Sequence, residues 1–231
     1  MAATRSDKFR GSNLVELFYR ILLYVTVIFG AFIFALPFYW MIRTALMPTW
    51  QIYVFPPAWF PAEFHWENFK VPFAVFPFER WFLNSALVAL AAAIGTAISS
   101  SIVGFSFARL RFPFRDTLFV IVLATMILPE HVRLIPTYLL FAKLGWVGTF
   151  LPLIVPMWFA PAFFVFLLRQ FFMTIPKELD DSAAIDGCSP WGMFRRIHLP
   201  LSIPALGVVM ILQITFQWND FLNPLIYLKN V

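Results

Sequence analysis

Three stretches of this 231-residue chain hold the residues able to do chemistry. The segment IPKELDDSAAIDGCSPWGMFRRIHLP, residues 175–200, sets four acids, three basic residues and a histidine between two long apolar runs. Downstream, Gln213, Gln217 and Asp220 recur at i, i+4 and i+7, the spacing of one helical face. Upstream, Glu130, His131 and Arg133 stand between Pro129 and Pro136 inside another apolar run. Amides and acids in such surroundings either line a polar passage or hydrogen-bond to neighbouring helices. Ionisable groups there are costly and point to function by default, the plainer reading being a self-contained Glu130–Arg133 pair at a helix break.

Other chemistries find no support. None of the nine glycines precedes a lysine, so the chain has no G-x-x-x-x-G-K-[ST] loop for a nucleotide. His65, His131 and His198 lie on separate segments without metal-ligand spacing. No Ser/His/Asp set suggests nucleophilic catalysis, so a non-catalytic chain without metal or cofactor is expected. The single Cys188 excludes an internal disulfide and suits a reducing compartment.

The elements that must position these residues are apolar. The chain is 61% hydrophobic and 13% charged, with mean hydropathy +0.80, where a soluble domain carries about a quarter charged residues. Thirty Phe and nine Trp exceed what one soluble core hides, so an integral membrane protein is expected. The net charge of +5 fits basic loops on the cytoplasmic side better than nucleic-acid binding, since no Lys/Arg run occurs. Five stretches reach the roughly 20 residues needed to span a bilayer: 20–42, 82–108, 117–141, 150–172 and 201–227. Helices are the default there, because backbone groups in lipid must bond within their own segment. The first run lacks a small-residue cleavage site and reads as a retained span.

With the N-terminus inside, the inner segments hold Arg5, Lys8, Arg10, Arg20, Arg109, Arg111, Arg115, Arg169, Lys177, Arg195 and Arg196. The outer segments and the interrupted third run hold Arg43, Lys70, Arg80, Arg133, Lys143 and Lys229. This bias places residues 175–200 in the cytoplasm. Five spans leave the C-terminus outside, and the sequence is expected to end early, with a sixth span missing.

Local signals divide residues 175–200 into two short helices. Pro176 suits a first helical position, and Glu178, Asp180 and Asp181 load the first turn with the charge its dipole favours. Gly187 fits the left-handed position that closes a helix. Ser189 and Pro190 then read as a new N-cap and first position, with Arg195, Arg196 and His198 in the last turn and Pro200 beyond. Spacing alone also allows an amphipathic hairpin lying on lipid headgroups.

The residues themselves resemble a known pattern. ELDDSAAIDGCSPWGMFRRIHLPLSIP is similar to the EAA loop of ABC importer permeases, which runs E-A-A, three residues, G, nine residues, I, then L-P. Asp181, Ser182 and Ala183 stand at E-A-A, Gly187 at the glycine, Ile197 at the isoleucine and Leu199–Pro200 at the ending. SFARLRFPFRD, ATMILPEHVRLIPTYLLFAKLGWVGT and WNDFLNPLIYL extend the resemblance to carbohydrate-type permeases over residues 20–231.

That resemblance implies an all-α membrane bundle of the type I ABC importer class, in a prokaryotic inner membrane, forming one permease domain over 1–231. It implies a coupling helix (Asp181, Ser182, Ala183, Ala184, Asp186 and Gly187) docked on an ATPase subunit. The implied partners are an ATPase dimer, which would carry ATP and magnesium, a second permease and an extracytoplasmic sugar-binding protein. The implied cargo is a sugar or oligosaccharide, with glycerol phosphate or another polyol derivative as the alternative. An ion-driven transporter using Glu130 and Asp220 is the reading from a different class.

Two further features complete the reading. Ala92, Thr96, Ser100, Gly104 and Ala108 form a stripe of small residues every four positions, read as a packing seam rather than a solute contact. The aromatic-rich outer segment 43–81 fits interfacial anchoring, and the resemblance adds a binding-protein landing site there. Glu130, Gln213, Gln217 and Asp220 are the candidates for the solute path.

Overall fold

The computed structural model describes residues 6–228, and Arg5 and Lys229 lie outside them. The described residues are helical, without strands. Three helices are long and apolar enough to cross a membrane, or up to five if each of two bent pairs counts as one span. The chain divides into two compact units, Met1–Phe78 and Glu79–Val231.

The first unit is dominated by helix α1, Ser6–Ala45, which starts well before the span expected at 20–42 and passes through Pro37 without ending. Its apolar window is exposed all round, the pattern of a helix whose solvent is lipid. The segment after it is stitched by amides: Gln51 donates from Nε2 to the Phe60 carbonyl at 3.1 Å and accepts the Ala62 N–H at 2.9 Å. Asn68 Nδ2 donates to the carbonyls of Ala45 and Met47, both at 3.0 Å. Glu67 accepts its own backbone N–H and bonds His65 in this exposed segment, and both hold its carboxyl below the usual range.

The second unit is built on helix α2, Phe78–Arg109. Its small-residue stripe is a seam, as expected: Ala92, Thr96 and Ser100 are fully buried and Gly104 is buried. Thr96 Oγ1 donates to the Met157 carbonyl at 3.2 Å, and a Cβ on Gly104 would lie 3.1 Å from the Arg169 nitrogen. Ser99 Oγ accepts the N–H of Ala160, which sits at a positive φ of 52°.

The third expected span is not one straight helix. Helix α3, Arg115–Ala124, runs on through a 3₁₀ turn to Ile127, and helix α4, Glu130–Lys143, follows at a 100° bend. Pro129 causes the break by forcing Leu128 into extended backbone. Glu130 therefore opens α4 instead of lying inside one continuous span over 117–141.

The fourth span covers Leu151–Thr174, close to expectation, and ends in helix α5, Ala162–Thr174. Helix α6, Glu178–Ile185, and helix α7, Pro190–Leu201, form the charged insert. Helix α8, Ile203–Asn219, leaves α7 at a 75° bend, and helix α9, Leu222–Tyr227, closes the described chain.

The expected span 201–227 is thus interrupted at Asp220, whose backbone is extended (φ −72°, ψ 116°). Pro224 is the cause, because its ring excludes the helical carbonyl four residues earlier, which is that of Asp220. Likewise Pro200 does not end the second helix of the insert. The turn ahead of it, Phe194–His198, widens to a π-helix and the chain runs on to Leu201. A π-turn makes room for the ring that would clash at Arg196. The core of this unit joins Phe105 of α2, Phe164, Leu168 and Phe172 of α5, Phe194 of α7 and Val209 of α8.

Candidate coupling loop and polar cavity

The insert forms as its local chemistry dictates. Helix α6 ends with the Cys188 N–H on the Ala183 carbonyl (2.8 Å) and the Gly187 N–H on the Ala184 carbonyl (3.0 Å). Gly187 has φ +72°, so this is the paired-bond closure that a glycine permits. Ser189 caps α7 by accepting the Gly192 N–H at 3.2 Å, with Pro190 at its first position. Pro176, by contrast, lies just ahead of the first helix, which begins at Glu178.

The six expected docking residues do not share one face. Asp181, Ser182, Ala184, Asp186 and Gly187 are exposed, whereas Ala183 is 6% exposed and turned inward. The residue that composition would bury is instead the most prominent: Ile185 is 87% exposed at the free end of α6. It stands between the exposed acids Asp181 and Asp186. The sequence carried its signal, an isoleucine two residues before the closing glycine.

An arginine, an aspartate and a histidine that the sequence did not connect meet beneath this helix. Arg109, at the end of α2, donates from Nη1 to Asp180 Oδ2 at 3.0 Å and from Nη2 to the carbonyls of Phe172 and Ile175. The other carboxylate oxygen, Asp180 Oδ1, accepts from His198 Nε2 at 2.5 Å. The Arg109 side chain is 6% exposed and that of His198 fully buried, against 21% for Asp180. The His198 ring packs on Phe105 and Phe172, with centroids 5.0 and 5.9 Å away. Spacing gave no hint of this cluster, since 71 residues separate Arg109 from Asp180.

Two of the four solute-path candidates, Gln217 and Asp220, line a hollow of about 190 Å³. Arg133 and Thr137, one turn apart on α4, face Gln217 of α8, then Asp220, Asn223 and Tyr227. Gln213 lines an adjoining hollow with Gln217 and Met157. Asp220 is not on the α8 face expected for it. Instead its Oδ1 accepts the Asn223 N–H at 3.2 Å and its Oδ2 the Asn223 amide at 2.9 Å, steadying the start of α9. The side chain of Glu130 lies outside the described residues, and with it the Glu130–Arg133 pair. A guanidinium, a hydroxyl, amides and a carboxylate lining one hollow can hydrogen-bond to a polyhydroxylated solute.

The family model described as "Binding-protein-dependent transport system inner membrane component" matches residues 100–230, more than half of the chain. The chain belongs to this family. As an inner membrane component of that kind, it is 34% identical over 212 residues to the sn-glycerol-3-phosphate transport system permease protein of Brucella suis, covering 88% of this chain and 74% of the relative. It is 38% identical over 151 residues to the arabinooligosaccharides transport system permease protein of Bacillus subtilis, covering 65% of this chain and 53% of that one. The fold of a bacterial ABC transporter involved in the import of the acidic polysaccharide alginate matches 99% of this chain and 78% of that one. The TM-score is 0.81 at 17% identity. The family match takes in the charged insert, Arg109 and every residue of the polar hollow, so this inner membrane component carries both features inside its family region.

Proposed function

We propose that this chain is the membrane-spanning permease subunit of a binding-protein-dependent ABC importer for a sugar or oligosaccharide. The observation that carries the reading is α6: a short helix, tethered between two apolar segments, presenting Ile185 beside Asp181 and Asp186. Such a knob fits a cleft on a separate ATPase subunit, where ATP and magnesium would bind. A homologous second permease, an ATPase dimer and an extracytoplasmic binding protein complete the assembly, with the N-terminus and α6 in the cytoplasm. ATP binding closes the ATPase dimer, moves α6 and favours the outward-facing pore by binding that state better; hydrolysis resets it. Asp181, Ser182, Ala184, Asp186 and Gly187 belong to the docking surface, and Ala183 supports it from inside. Glu130, Gln213, Gln217 and Asp220 belong to the solute path.

A second reading changes only the cargo, to glycerol phosphate. The relative with that name in Brucella suis aligns over 88% of this chain, and Arg133 supplies a cation in the hollow.

The test is a cross-link. Ile185→Cys, in a chain carrying Cys188→Ser, should form an ATP-dependent disulfide with a cysteine placed in the cleft of the partner ATPase. An assembled complex without that cross-link returns the insert to the lipid headgroups. Uptake that persists without any ATPase subunit would instead favour the ion-driven class. Competition between arabino-oligosaccharide and glycerol 3-phosphate then decides the cargo.

A further inference from the structure

We infer that Arg109, Asp180 and His198 form the linkage through which displacement of α6 reaches the membrane helices, as positioning residues and not as part of the docking surface. This rests on the reading of the chain as an ATP-coupled permease subunit. One guanidinium bonds three places at once: Asp180 in the first turn of α6 and the carbonyls of Phe172 and Ile175 at the end of α5. The Phe172 carbonyl lies in the last turn of α5, at the negative end of its dipole, where it otherwise takes only the N–H of Ile175 at 3.3 Å, and Ile175 is the extended cap residue that follows, so an arginine suits this helix end. The same Asp180 bonds His198 at the end of the π-turn in α7. Four elements (α2, α5, α6 and α7) are therefore tied at a single carboxylate and a single guanidinium.

The geometry of α6 makes this a linkage and not only a brace. Its C-terminal end, with Ile185 exposed, is free, whereas Asp180 near its other end is bonded. The two residues are about 7.5 Å apart along the axis. Force applied at Ile185 leaves α6 through the chain at its ends, through the inward-packed Ala183 or through Asp180, and of these Asp180 is the one bonded to both Arg109 and His198. The chain at the C-terminal end is a glycine turn, which bends easily, so the carboxylate provides the stiff route. Partial burial strengthens it, because a charge pair shielded from water resists separation more than an exposed one.

Without Asp180, the α6 knob still docks but turns about its ends without carrying α2 and α5 along. ATP would then be hydrolysed with little solute moved. The complete importer, with its own ATPase, second permease and binding protein, is reconstituted in proteoliposomes, and ATP hydrolysed and solute accumulated are measured together. Asp180→Ala should lower solute moved per ATP about tenfold, with the ATPase subunits still co-purifying. Asp180→Glu, which keeps the charge, should recover part of the ratio.

An unchanged ratio overturns the linkage, as does a parallel fall of hydrolysis and uptake in an intact complex. If Asp180→Ala does not assemble, His198→Leu severs the α7 arm while leaving the Arg109 bond, and the same ratio decides. Failure of both variants to assemble assigns the cluster a structural role and overturns the proposal. Failure of the underlying reading looks different: the unmodified complex then shows no ATP-dependent uptake.

Discussion

At Gly95 the seam of α2 leaves no room for a side chain, since an added Cβ would lie 2.2 Å from Cδ1 of Trp158. Gly104 is less tight, with its nearest neighbours at 3.1 and 3.2 Å. Gly95→Ala should therefore cost about 1–3 kcal/mol, the usual penalty for overpacking, because the indole ring must shift. A lowered thermal unfolding midpoint of the detergent-solubilised protein, with a smaller shift for Gly104→Ala, is the outcome to look for. The stripe of small residues was legible from its four-residue period alone. Trp158 was not, because its partner is set by the fold of a segment more than sixty residues away. The same holds for Asp180, which its position in the first turn of a helix already explained adequately. A residue with a sufficient local reason hides a tertiary one.

Among the elements, local punctuation did most of the work. Ser189, Pro190 and Gly187 each specify one backbone conformation and were placed correctly from sequence. Ser189→Ala should remove the cap of α7 and cost about 1 kcal/mol. Hydrogen exchange at the Gly192 amide, which loses its acceptor, should accelerate several-fold while the α8 amides stay unchanged. The prolines were harder to read, because a proline acts on the carbonyl four residues earlier as well as on its own position. Pro136 is accommodated inside α4 and Pro37 inside α1, Pro129 and Pro224 break their helices, and Pro200 is absorbed by a π-turn. Hydropathy alone does not say which of these outcomes a given proline takes.

For the whole molecule, the polar hollow is the feature to which the solute path is assigned. Asp220→Ala removes the carboxylate that both faces the hollow and steadies α9. Uptake should be lost while the permease still co-purifies with its partners; undiminished uptake removes Asp220 from the path. The membrane class, the division into spans and the charged insert were legible because lipid imposes simple rules on length and charge. The gathering of Arg133, Gln217 and Asp220 was only half legible, since it relies on two helix breaks that bring separate segments together.

The bend at Ser202 gives the insert one more property. From Pro190 to Leu201 the chain forms a stiff arm about 18 Å long, set at 75° to α8. Such an arm is a crank. A push of about 3 Å on its tip, across the plane of the two helices, would roll α8 about its own axis by about 10°. Side chains some 5 Å from that axis would each sweep about 1 Å. Gln213 and Gln217 would then change neighbours while α8 keeps its depth in the bilayer, so the passage could be re-dressed without any helix sliding through lipid.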